Sequence, residues 1–117
     1  SAPFHCALMQ PAADEMQAAL AETHIAAPAV PVIANVRAAP VIDPEEIRQL
    51  LVEQITARVR WRESMIWLAD NYAGNLVELG SGKVLANMSR RIDPRLTAIA
   101  LSTPDDIRAY LLENQGD

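Results

Sequence analysis

The stretch richest in side chains that could do chemistry is Ser1-Ala2-Pro3-Phe4-His5-Cys6-Ala7-Leu8-Met9. It sets an imidazole just after a Pro-Phe turn, at the mouth of a segment with helical spacing. A neutral imidazole placed there can serve as a general base. The same position suits a histidine that only packs or caps, and spacing does not separate the two. Cys6 has apolar neighbours, which fit a structural thiol better than a nucleophile, so it reads as core. His24 closes the same helical segment and carries no site. Gly80-Ser81-Gly82-Lys83 invites a phosphate-loop reading, but such a loop needs a glycine five residues before the Gly-Lys pair, and position 77 is Val. A strand-to-helix turn with Ser81 as N-cap fits better.

These residues need elements to hold them. Leu8, Met9, Ala12, Met16, Ala19 and Leu20 recur at three and four, predicting a helix over about 6–23, regular from near Gln10 because Pro11 fits only a first turn. The apolar, β-branched run from Val30 to Val36 predicts a strand over 30–36 buried on both faces. Asp43-Pro44-Glu45-Glu46 offers an N-cap, a proline at N1 and a capping-box glutamate, starting a helix over 43–56. Further helices are expected over 60–72, 82–92 and 104–114, the last opened by Thr103-Pro104-Asp105-Asp106. Short strands are expected over 76–79 and 97–101. Strands separated by helices imply a parallel or mixed α/β sheet covered on both faces.

The chain has 117 residues, 50% of them hydrophobic and 21% charged, which excludes a disordered tail and suggests one compact domain. No apolar run reaches the roughly 18 residues of a membrane span. Lone Cys6 excludes an internal disulfide, and no Cys/His pairs stand at metal-ligand spacing, so no metal site is expected and a cytoplasmic setting fits. The formal net charge of -5 argues against nucleic acid. The charge is uneven, however: residues 58–95 hold seven cations against four carboxylates. Such a basic middle suits phosphates or an acidic protein, or is simply a solvated helix surface.

Several blocks occur in a fixed order: Ala2 to Met9, Pro31-Val32 with Asn35-Val36, Gln54-Ile55 followed by Val59-Arg60-Trp61, and Glu78-Leu79-Gly80-Ser81-Gly82-Lys83-Val84-Leu85 followed by Arg90-Arg91-Ile92. In these blocks the chain resembles the C-terminal part of the malonyl-CoA:acyl carrier protein transacylases and the related acyltransferase domains of polyketide synthases. The resemblance implies that residues 1–117 form the C-terminal half of an α/β-hydrolase-like large subdomain, the small ferredoxin-like subdomain lying outside the chain. It implies a Ser-His dyad in which His5 is the base and the backbone carbonyl of Gln54 orients it. Phe4 matches a position tied to choice of malonyl over methylmalonyl, and Arg90 and Arg91 match a basic pair facing the acidic carrier protein. The implied substrates are malonyl-CoA and the phosphopantetheine thiol of acyl carrier protein, with no further cofactor. The family's serine elbow, Gly-His-Ser-x-Gly, is absent from these residues. A fragment or processed chain is therefore expected, whose partner is the N-terminal half of the same protein. The rival expectation is a non-catalytic module that binds the carrier protein.

Overall fold

A computed structural model of the chain describes residues 3–72 and 75–114. Where length suggests one domain, the chain divides into two compact units, Ser1–Trp67 and Leu68–Asp117.

In the first unit a 3-10 turn, Ala7–Met9, leads into helix α1, Gln10–Ala21, with Pro11 in the first turn where its missing N–H costs nothing. Helix α1 packs on helix α2, Pro44–Thr56, and the 3-10 turn contacts both helices. Ala13 and Leu50 are the buried residues of the two helices, the small side chain of Ala13 being suited to close approach. The Asp43 carboxylate accepts the Glu46 N–H at 2.8 Å, so the expected N-cap is in place. The reciprocal half of the expected box is not: the Glu46 carboxylate pairs with Arg37 instead.

The expected strand over 30–36, buried on both faces, is corrected. Only Val32–Ile33 is extended as strand β1, and it pairs antiparallel with strand β2, Pro40–Val41. Val30 is 72% exposed. Ala34 starts a turn in which its N–H donates to Ala39 and its carbonyl accepts from Ala38, which has φ 54°. Among the described residues the apolar run pairs only with the two-residue β2, and the turn ends it after two residues. Helix α3, Trp61–Asn71, follows, and the division between the units falls within it. The expected end of this helix at Tyr72-Ala73-Gly74 includes residues 73–74, which lie outside the described residues.

In the second unit strand β3, Asn75–Leu79, and strand β4, Thr97–Leu101, pair in parallel, from Asn75 opposite Thr97 to Leu79 opposite Leu101. Helix α4, Val84–Ile92, makes the crossover a parallel pair requires and packs on both strands. The single three-stranded sheet expected from the sequence is thus two separate two-stranded sheets. Gly80 and Gly82 adopt φ 139° and 88°, conformations that L side chains rarely adopt, and so form the tight link into α4. The expected N-cap of α4, Ser81, does not cap it. Lys83 holds that position without a side-chain bond, and Glu78 reaches forward from β3 to accept the Leu85 and Ala86 N–H groups at 3.2 and 2.8 Å. A carboxylate suits the positive end of a helix.

Helix α5, Pro104–Glu113, opens with a complete capping box. The Thr103 hydroxyl accepts the Asp106 N–H, and the Asp106 carboxylate accepts the Ser102 and Thr103 N–H groups. Those bonds, Ser102's foremost, hold the Asp106 carboxyl below the usual carboxylate range. A carboxyl depressed by folding stabilises the fold above its unfolded pKa and loses that contribution as pH falls through its folded value. Asp106→Asn should therefore lower the urea midpoint at pH 7, and the difference from the parent chain should shrink as pH falls. Removing the α4 cap by Glu78→Ala should cost about 1 kcal/mol, read from thermal unfolding followed by circular dichroism.

Candidate functional site

The last residue of α2 is Thr56, so the carbonyl of Gln54 has no intrahelical N–H four residues on. The imidazole of His5 fills that vacancy: its Nδ1 lies 2.6 Å from the Gln54 carbonyl oxygen. A carbonyl only accepts, so Nδ1 carries the proton, and in the neutral ring Nε2 is the bare nitrogen. His5 is exposed, and its backbone sits at φ 55°, a left-handed conformation uncommon outside glycine. Such a backbone costs on the order of 1–3 kcal/mol and persists only where its surroundings hold it. Here the Pro3-Phe4 lead-in and the 3-10 turn that follows fix it at the end of α2.

The Gln54 side chain is held as well. Its Oε1 accepts from Nδ2 of Asn35 at 3.0 Å, in the turn after β1. The Asn35 carbonyl accepts the Arg60 N–H at 2.8 Å, immediately before α3, and Nη1 of Arg60 donates to the Arg37 carbonyl at 3.1 Å. Asn35 and Gln54 also line a cavity of about 130 Å³, whose other walls include Val32, Ile33, Ile47 and Leu51. Composition and periodicity gave no sign of Asn35. The only sequence cue was its place in the Asn35-Val36 block.

Phe4, next to the histidine, is 66% exposed. Cys6, expected in the core, is only half-buried, and its Sγ donates to the Pro3 carbonyl at 3.0 Å. That bond holds the thiol beside the exposed Pro3-Phe4-His5 stretch and not in the core. His24 is exposed beyond the end of α1.

In the other unit, Arg90 and Arg91 stand in the last turn of α4, where cations complement the helix dipole. Nη2 of Arg90 donates to the Ala98 carbonyl at 2.5 Å. Because the Leu101 carbonyl accepts from Gly80, just past the end of β3, alternation along β4 puts the Ala98 carbonyl on that strand's outer edge. Arg91 is exposed.

Much of the basic middle pairs locally. Arg58 and Arg60 meet Glu63, and Arg95 meets Asp70 and Asp93 at 2.8 and 2.7 Å. The Arg60 guanidinium lowers the carboxyl of Glu63, and that of Arg95 lowers the carboxyl of Asp93. Among the described residues, Arg62, Lys83 and Arg91 make no ion pair. No group of three or more His, Cys, Asp or Glu is gathered as a metal would require, again among the described residues. Among the described residues no helix is long and apolar enough to cross a membrane.

No protein-family model matches the chain. Individual proteins do. A curated malonyl-CoA:acyl carrier protein transacylase from Salmonella typhimurium is 42% identical over 113 residues, covering 97% of this chain and 37% of that protein. The crystal structure of an acyl-carrier-protein S-malonyltransferase from Bartonella henselae is 50% identical with a TM-score of 0.86, over 97% of this chain and 36% of that one. A malonyl-transacylase solved with its type II polyketide synthase acyl carrier protein is 36% identical with a TM-score of 0.83, over 97% and 37%. This α/β chain, whose described residues form five helices and two small sheets, matches malonyl-CoA:acyl carrier protein transacylases over nearly all of its own residues and spans little more than a third of the length of those relatives.

Proposed function

We propose that this chain is the C-terminal part of a protein that moves a malonyl group from malonyl-CoA to the phosphopantetheine thiol of acyl carrier protein. In this reading it is the second half of an α/β-hydrolase-like large subdomain and supplies the base of a Ser-His dyad. The observation that carries the reading is the 2.6 Å bond between His5 and the Gln54 carbonyl, in a chain 42% identical to a curated transacylase. A general base needs a fixed tautomer and an accessible second nitrogen, and this arrangement offers both.

Three of the described serines do not suit the nucleophile's part. Ser64 and Ser89 are buried, and their hydroxyls donate to the carbonyls of Arg60 and Leu85 one helical turn earlier. Ser102 donates to the Gly82 carbonyl. In this reading the nucleophilic serine and the oxyanion donors belong to polypeptide beyond these residues. Nε2 of His5 takes that hydroxyl's proton as the oxygen attacks the malonyl thioester. The carbon–sulfur bond breaks, and the proton passes to the departing CoA sulfur. In the second half-reaction the same nitrogen takes the proton of the carrier's thiol, whose sulfur attacks the acyl-serine, and returns it to the serine oxygen. Throughout, Nδ1–H stays on the Gln54 carbonyl, at the negative end of α2, which favours the positive charge that forms on the ring.

Phe4 would narrow the space beside the malonyl α-carbon and disfavour a methyl branch there. Arg91, with Arg90 behind it, would meet the acidic carrier protein. One structural relative was solved with its acyl carrier protein, which supports that partner. A cytoplasmic setting agrees with these substrates.

In the intact parent protein, His5→Ala should lower malonyl transfer by roughly 10²- to 10⁴-fold, the usual worth of a positioned base. A near-normal rate in the acyl carrier protein malonylation assay would reject the assignment. Arg91→Glu should raise KM for the carrier protein and leave KM for malonyl-CoA unchanged, with the difference shrinking as salt is added.

A further inference from the structure

We infer that Asn35 is a positioning residue for the His5 base, acting through the side chain of Gln54. The inference rests on the proposed dyad and adds to it a residue that never touches the substrate. Its ground is geometric. The carbonyl that receives His5 lies in the final turn of α2, where helical bonds end and fraying is easiest. Ala57 closes back onto Glu53, and nothing further along the helix secures Gln54. What secures it is the bond from Asn35 Nδ2 to Gln54 Oε1.

Asn35 is itself anchored, because its backbone carbonyl accepts the Arg60 N–H at 2.8 Å. One residue thus ties the end of α2, through its side chain, to the start of α3, through its main chain. The corner between the two helices is fixed by a short polar chain running Arg60 N–H, Asn35, Gln54, His5. Asn35 and Gln54 are both only partly exposed and line the same cavity, so water competes less for their bond than at an open surface. If the bond is lost, the final turn of α2 gains freedom and the carbonyl no longer points one way. The imidazole loses its direction with it, since His5 holds a left-handed backbone that gives it little support of its own.

The test uses the intact parent protein and four variants: Asn35→Leu, which is close in size and cannot bond; Asn35→Asp, which accepts from a rotated Gln54 amide; Gln54→Leu, which keeps the carbonyl; and His5→Ala. Asn35→Leu and Gln54→Leu should each lower kcat about 10- to 100-fold with KM for malonyl-CoA unchanged, and the double variant should lose no more than either alone. Asn35→Asp should restore most of kcat. In proton NMR, the hydrogen-bonded Nδ1–H resonance of His5 should weaken or vanish in both leucine variants and return in Asn35→Asp. In a His5→Ala background, Asn35→Leu should have no further effect on kcat. An undiminished Nδ1–H resonance in Asn35→Leu, or an equal loss of kcat with and without His5, overturns the inference. Normal activity in His5→Ala alone would instead overturn the proposed dyad, and the Nδ1–H resonance would then decide the positioning claim by itself.

Discussion

A single hydrogen bond, from His5 to a main-chain oxygen 49 residues away, sets the terms for the first unit of this chain. A carboxylate partner would add a charge to be compensated. A helix-end carbonyl adds none, and it would otherwise need water or another donor. The bond therefore serves two needs at once: it satisfies an orphan acceptor of α2 and selects the Nδ1–H tautomer of the ring. The α1–α2 packing, the 3-10 turn after Cys6 and the left-handed backbone of His5 are the local conditions under which the ring reaches that oxygen.

The features legible in the sequence are those whose physics is local. Asp43-Pro44 and Thr103-Pro104-Asp105-Asp106 start helices because a side-chain oxygen finds an N–H three residues away, and both do so here. The parallel strands near 76–79 and 97–101 followed from short apolar runs set off by Gly and Pro. The run from Val30 to Val36 misled because apolar composition records what a segment could bury, not what lies beside it. Two links stayed hidden for one further reason. The Glu78 cap spans seven and eight residues from a strand into a helix, and the role of Gln54 lies in a backbone atom that every residue possesses. Nothing in residue type marks a carbonyl as special. Only the resemblance pointed to it, whereas Asn35 became visible once the turn and the helix end were seen together.

The charge pattern changes meaning in the same way. Counted along the sequence, residues 58–95 form a basic patch. In the fold, Glu63, Asp70 and Asp93 absorb three of its arginines, and Arg90 is drawn to the outer edge of β4. Such exposed pairs contribute little to stability. Their larger effect is to remove charge from the field an approaching acidic partner would feel. A run of seven cations thus overstates the attraction, and Arg91, exposed and without an ion pair among the described residues, is the better candidate of the basic pair for meeting such a partner.

The distribution of apolar surface completes the argument. The buried hydrophobic residues are mostly small, four of them alanine, while Val30, Leu79, Val84 and Leu112 are each 66% exposed or more. Two parallel strands make a sheet that is rarely left uncovered in proteins, since parallel sheets are buried on both faces. Half of the composition is hydrophobic, yet the described residues do not gather it into one core. The relatives are nearly three times as long, and on the proposed reading further polypeptide covers those surfaces. The same further polypeptide carries the serine. Completing the core and completing the dyad then become one event, and the imidazole, already held by its carbonyl, waits in the geometry that the incoming hydroxyl requires.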